Sequence, residues 1–500
     1  MRTERQLLRA CVVLACGLTV GFVADTARAA CIVTDASNDP SVPGTLPNCV
    51  DQGASQIDIQ VAAPIELDQP LLFTNSATVT GPGTITHTST FSGDYLIEVG
   101  ENCQGGCSLV ALNLSDLELM ATSSGIGGID VRRGHVLELS DALLHDFTGL
   151  AEGGGVRAQQ QSVLAMLSTE IHDCEALDGG AVWSEAADTK ILGSNLHDNT
   201  AQYNGGAVKI GSGNFFTRTL TVEQSTLSGN NGDWGGAIQA SAYNIVVTVK
   251  GSDFIDNVAT TRGGALHGKG EFFETAFTGN QAASGGALYL VDTTTVRDST
   301  FESNEAAEGG GITLLSYVGG LLLDRSTLKF NTAQGPGINR GGGLYVGEGM
   351  AHVTNSTFSE NSAHAVSGDG NGGAVSVTHK GEAVLEHATL WGNQADVAGG
   401  IATEITTHLT LRSSYVAHSG FQDCEIDGAF STDTSMDTDT TCGVDYTEDP
   451  GLQPLATNGG VTETHMPSQD YLGLATCYLP EDQHQDPRPP SHCDIGSVQQ

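Results

Sequence analysis

The sequence predicts an all-β fold, a parallel β-helix in which the chain winds through successive coils stacked along one axis. Three observations predict it. One phrase recurs about every 23 to 32 residues, each copy carries a glycine pair at a fixed place, and apolar residues occupy every second position between copies. A period of that size marks a stacked repeat. Alternation without a 3.6-residue pattern marks short strands.

The phrase appears eight times from Leu196 to Ile401. Each copy has an apolar residue, an Asn three positions later, a short variable run, then Gly-Gly, a small residue and an aliphatic. Asn199, Asn230, Asn257 and Asn280 lead to the glycine pairs at 205, 235, 263 and 285; Asn304, Asn331, Asn361 and Asn393 lead to those at 309, 341, 372 and 399. The glycines suit a corner because they accept positive φ and close backbone approach. An amide at the same place in every coil donates to one neighbour and accepts from the other, so the eight Asn are expected to form a ladder. The Phe or Leu before each Asn stacks in the core, and stability comes from neighbouring coils because none buries its own apolar face. About ten or more coils at roughly 4.8 Å each give a rod near 50 Å long.

In chain order, residues 1–29 read as a signal peptide: Arg2, Arg5 and Arg9 precede the apolar run Ala10 to Ala24, and Ala27-Arg28-Ala29 supplies small residues for cleavage. No later apolar run is long enough for a membrane helix. Residues 30–120 carry strand-like runs (56–61, 65–73, 77–85) without the Gly-Gly phrase, as expected of an N-terminal cap and first irregular coils. Residues 121–419 hold the repeats, including two weaker coils at Leu144 to Phe147 and Ile171 to Cys174. Cys174 therefore takes an Asn slot and is expected to be a buried free thiol. The phrase then decays: the coil opening at Ser413-Ser414-Tyr415 would put His418 in the slot. Residues 420–500, rich in Pro, Asp and Cys, read as a covering segment.

In an exported chain the remaining cysteines read as a disulfide framework. Sequence-adjacent pairing would join Cys31 with Cys49, Cys103 with Cys107, Cys424 with Cys442, and Cys477 with Cys493, although spacing alone leaves other connectivities open. A zinc reading of Cys103 and Cys107 lacks a second ligand pair.

The Phe-x-x-Asn phrases at Phe254, Phe277, Phe301 and Phe358, with Gly-Gly-Ala-aliphatic after them, resemble the repeats of polymorphic outer-membrane proteins and of bacterial right-handed parallel β-helix proteins. The tail, Asp449-Pro450-Gly451-Leu452, Asn458-Gly459-Gly460-Val461-Thr462 to His465, and Cys493-Asp494-Ile495-Gly496-Ser497-Val498, is similar to the C-terminal anchoring segment of such exported proteins. Ile65-Glu66-Leu67 to Pro70-Leu71 and Gly81-Pro82-Gly83 resemble their first coils. The resemblance implies a right-handed pectin-lyase-like β-helix (solenoid), secreted or held on the outer surface of a bacterial cell. It is specific for fold and weak for function, since such families include adhesins and carbohydrate-active enzymes. The polymorphic proteins end in a membrane barrel, and nothing here has the length or alternation for one.

Acidic residues number 59 against 20 basic ones, a formal net charge of -39. That excess argues against nucleic acid as a partner and limits nonspecific association, in keeping with a monomer. A polyuronate would need bridging cations or a local basic patch. No cofactor is expected; the loop Asp369-Gly370-Asn371 suits Ca²⁺ by its oxygen ligands, against the plainer reading of a solvated turn.

Catalytic signals are weak, and no catalytic residue is assigned. Arg262 and Arg340 each precede a glycine pair on one edge, three coils or roughly 14 Å apart, too far for one constellation. Asp178 and Glu308 share that edge without distinctive spacing. There is no Asp-Asp pair in the repeats to serve hydrolysis, and no serine elbow, phosphate loop or metal-spaced His pair. A binding stripe is easier to argue. The residue after each inward aliphatic is expected to face outward, giving Trp183, Lys209, Gln239, His267, Tyr289, Thr313, Tyr345, Ser376 and Thr403, with Trp234 and Tyr203 on the neighbouring edge. Tyr289 and Tyr345 would lie two coils, roughly 10 Å, apart, a spacing near a disaccharide repeat. The competing reading is that these aromatics only stabilise a β-face.

The sequence thus points first to an exported, non-catalytic protein for surface interaction or adhesion, with extracellular carbohydrate or a cell-surface ligand as partner. The alternatives are a polysaccharide lyase or glycoside hydrolase, pectate-lyase-like, with an unrecognised site, and a purely structural cell-surface protein.

Overall fold

The computed structural model describes residues 30–101, 108–211, 216–366, 369–449, 451–467, 475–489 and 493–499. The proposed signal peptide and the Cys103–Cys107 pairing lie outside the described residues.

The chain is an all-β parallel solenoid of about 14 turns, more than the repeat phrases alone count. One coil shows the plan. Leu266–Gly268, Glu271–Phe273 and Ala276–Thr278 form its three principal strands. Each pairs in parallel with the equivalent strand of the coils before and after. An edge strand such as Val258–Arg262 enters the glycine corner. In later coils the first two strands fuse across their corner, as in Ile312–Asp324, Leu344–Thr354 and Val375–Glu386.

Register turns like residues into columns. Val182, Val208, Ile238, Leu266, Leu288, Ile312 and Leu344 pair in succession and are fully buried. Phe254, Phe277 and Phe301 stack with ring centres 5.2 and 4.6 Å apart. Asn257 shows why the ladder tolerates burial. Its Nδ2 donates to Asn280 Oδ1 at 2.9 Å and to the Leu227 carbonyl at 2.8 Å. Its own Oδ1 accepts from the Asn230 backbone N–H and Nδ2 at 3.1 and 2.9 Å. Every polar atom of the amide is used, so the column carries no desolvation penalty of the kind an orphaned group incurs.

The first glycine of each pair but the last has φ near +65°, as at Gly263 (+65°) and Gly285 (+67°). At the second the constraint is contact: a Cβ on Gly264 would lie 2.2 Å from the carbonyl oxygen of Gly286 in the next coil.

At the N-terminal end a helix, Leu46–Asp51, buries Leu46, Cys49 and Val50 on the first coil, and the Thr45 side chain accepts from the Asn48 N–H. Sequence periodicity did not anticipate this helix because it is only six residues long; its signal was Thr45 followed by Pro47 at the first turn. The disulfides Cys31–Cys49, Cys424–Cys442 and Cys477–Cys493 are formed, and Cys174 is free and buried.

The last coils correct one expectation. Leu390 pairs with Val416, not Tyr415, so the position three residues on is the buried Ser419, and His418 is exposed. Tyr415 is buried on the outside of the coil instead, packed with Met436, Ala475, Cys493 and Ile495 of the C-terminal segment. That segment lies along the third strands. Gln483 accepts from Thr357, Ser497 bonds Thr357 and Thr389, His465 bonds Ser359, and Arg488 donates to Asn355.

Candidate functional site

The glycine corner brings two columns side by side. The edge column runs Asp178, Asn204, Trp234, Arg262, Ser284, Glu308, Arg340 and Asn371, each paired with the next. The first-strand column runs Arg157, Trp183, Lys209, Gln239, His267, Tyr289, Thr313, Tyr345, Ser376 and Ala402. Arg262 and Arg340 are therefore three coils apart on one edge. Two assignments shift. Ala402 holds the place expected of Thr403, because the last copy has no small residue between its glycines and Ile401. Tyr203 lies beside the edge column, whose member in that coil is Asn204.

The expected outward stripe is in register but largely covered. His267, Tyr289 and Tyr345 are only 3, 4 and 3% exposed, whereas Trp234 is 36% and Tyr203 49% exposed; Trp183 and Lys209 are partly exposed. The edge side chains lean across the corner. Trp234 meets the His267 ring edge-on at 5.1 Å, and the Arg262 guanidinium lies 5.2 Å from the Trp234 ring and 4.9 Å from that of Tyr289. Arg157 and Arg340 lie 5.8 and 6.0 Å from Trp183 and Tyr345. The surface presented is thus a seam of stacked cations and rings.

Burial sets the protonation states in this seam. His267 is pulled down to about 3, by desolvation first and then by Arg262 and Lys209. Lys209 is pulled down to about 8 by desolvation, opposed by Asp178. Burial raises the Tyr289 and Tyr345 phenols. The arginines differ in their partners. Arg157 bonds Glu152 at 3.0 Å and Arg340 bonds Glu308 at 3.1 Å, while Arg262 has no carboxylate within 4.0 Å among the described residues.

A second outward column escaped sequence reading. His145, His172 and His197 stack at 5.0 and 4.9 Å, and each Nδ1 bonds the Asp that follows it, at 2.7, 2.7 and 2.8 Å. The signal was present, since each His directly follows the inward apolar residue of its coil. A ladder of Ser and Thr hydroxyls also escaped notice: the N–H groups of Ser194, Ser225 and Ser299 donate to the hydroxyls of Ser225, Ser252 and Ser326. These residues stand two before the Phe or Leu of the phrase.

At the loop considered for Ca²⁺, the Asp369 carbonyl accepts from the Asn339 N–H, and Gly370–Asn371 pairs with Asn339–Arg340. Asp482, His484 and Asp486 bring three potential metal-binding atoms within 4.8 Å. The Asp482 carboxylate there accepts the N–H groups of His484, Asp486 and Gln499, which accounts for the cluster as a turn. Among the described residues no helix is long and apolar enough to cross a membrane.

Comparison with known families gives a match to part of the chain. Residues 355–378 fit the Chlamydia polymorphic membrane protein repeat, a span that holds Phe358, Asn361 and the Gly372-Gly373-Ala374-Val375 corner. No curated protein and no solved structure matches the chain. Sequence repeat and coordinates agree: the chain is a parallel β-helix whose coils carry repeats like those of the polymorphic membrane proteins.

Proposed function

We propose that the protein is exported to the outer surface of a bacterial cell, where it acts as a non-catalytic, adhesin-like module that binds carbohydrate along the seam. The matched repeat supports the surface location. One observation carries the binding reading: Trp183, Lys209, Trp234 and Arg262 keep accessible surface on a rigid, registered face whose deeper rings are locked by stacking. Sugar faces stack on aromatic rings, and a preorganised face loses little entropy on binding. Changing Trp183 and Trp234 to Ala and measuring retention on a glycan array, with and without Ca²⁺, tests it. Loss of retention with unchanged thermal stability is expected; unchanged retention on every glycan bound by the parent removes the reading.

Lys209 favours a second reading, a uronate lyase, since an amine drawn to about 8 by burial suits a general base. Incubation with uronate polymers separates the two: absorbance from unsaturated product supports the lyase, and its absence leaves binding.

A further inference from the structure

We infer that the seam centred on Arg262 is a subsite for acidic sugars, in which Arg262 and Lys209 receive carboxylate or sulfate groups on rings that stack against Trp234. This rests on the glycan-binding reading above and specifies its ligand class.

Acidic side chains outnumber basic ones 59 to 20, so a cation here is readily matched. Arg132, Arg157, Lys269, Arg325, Lys329 and Arg340 all have carboxylates within 4.0 Å. Arg262 and Lys209 have none among the described residues; nor do Arg133, Lys250 and Lys380, which are exposed and belong to neither column of the seam. Arg262 is held by rings, 5.2 Å from Trp234 and 4.9 Å from Tyr289. Those contacts engage its π-system and use none of its five N–H donors as conventional hydrogen bonds. Lys209 donates to the Gln239 side chain, a neutral acceptor.

Register then fixes the spacing. Trp234 pairs with Arg262 on the edge, while Lys209, Gln239 and His267 follow one another in the adjacent column. The two cations therefore stand two coils, about 10 Å, apart along the axis with the indole between them. Beneath lies His267, 3% exposed, with an Nδ1 that has no hydrogen-bond partner. Held neutral by burial and by the two cations, it adds no competing charge. A chain this acidic repels polyanions at long range. An acidic glycan is accommodated where cations have no carboxylate in contact, and Arg262 and Lys209 meet that condition, with Asp233 and Asp178 acting on them only from beyond ion-pair distance.

The experiment measures affinity of the protein for oligogalacturonate, a chondroitin sulfate oligosaccharide and neutral dextran, with R262Q, R262K, K209Q and W234A alongside and thermal unfolding as the control for folding. Charge-assisted hydrogen bonds predict that R262Q and K209Q each weaken binding of the carboxylated or sulfated oligomers about tenfold or more. R262K retains part of it, and W234A weakens every glycan bound. Comparable binding of dextran with R262Q indifferent overturns the acidic subsite and leaves glycan binding standing. Equal loss of neutral and acidic ligands in R262Q also overturns it, assigning Arg262 to holding Trp234. Binding of no glycan removes both readings.

Discussion

At the scale of single residues, the amide ladder and its interruptions are the most exposed to test. Replacing Asn280 by Ala strips the acceptor from both the backbone N–H and the Nδ2 of Asn257. Two buried donors lose their partner, and the expected cost is about 3 kcal/mol or more in urea unfolding. Cys174 offers the converse. It occupies an amide slot, its N–H donates to Asn199 Oδ1 at 3.1 Å, and burial pushes its thiol up to about 12. Cys174→Asn extends the ladder by one rung and is expected to raise stability by about 1 kcal/mol; a loss of that size would mean the slot is shaped for sulfur. Histidines set a pH dependence. His267 and His387, both lowered to about 3 by burial, bind protons more readily when unfolded. Their contribution is complete above about 6.5 and is lost as pH falls toward 3, at about 1.4 kcal/mol per pH unit for each. His197, raised by Asp198 and Glu170 against its desolvation, acts in the opposite sense and loses its contribution as pH rises. H267Q should flatten the acid limb measured by thermal unfolding; an unchanged limb contradicts the assignment.

At the scale of the coil, corners impose the sequence pattern. Gly264→Ala drives a Cβ to 2.2 Å from the Gly286 carbonyl, and a loss of about 3 kcal/mol is expected. The opposite corner repeats a left-handed residue just before the amide slot. Asp198, Asp256, Ser303 and Phe330 have φ of 55, 52, 57 and 56°, and Gly229 and Gly279 stand in the same place. Phe330→Gly should therefore gain about 1 kcal/mol by relieving left-handed strain in a branchless backbone; chemical denaturation reads both changes. These elements show what a sequence reveals and what it hides. Corners and amides are legible because each depends on contacts with its own equivalent one coil away, so spacing alone specifies them. The end coil misled because Tyr415, large and apolar, mimics an inward residue while its burial comes from a segment some 60 to 80 positions later. Exposure of the seam was equally illegible: Tyr289 faces outward by strand alternation, yet Arg262 from another column covers it.

For the whole molecule, stacking makes stability a sum over neighbouring interfaces, and the capping helix with Cys31–Cys49 and the C-terminal segment with Cys424–Cys442 and Cys477–Cys493 protect the covered surfaces. Rigid register also gives a linear array of accessible rings and cations, on which the proposed recognition of acidic glycans depends. The most direct test of register uses spin labels on successive members of one outward column. Glu170, Asn195, Thr226, Asp253, Ala276 and Thr300 pair in order on the third strands. With one label fixed at Glu170→Cys and the second placed at Asp253→Cys, Ala276→Cys or Thr300→Cys, the distance should lengthen by about 4.8 Å per coil, whatever the number of residues between them. Distances that follow sequence separation, or fail to rise in that order, would contradict the stacked winding from which the ladder, the buried thiol and the seam all follow.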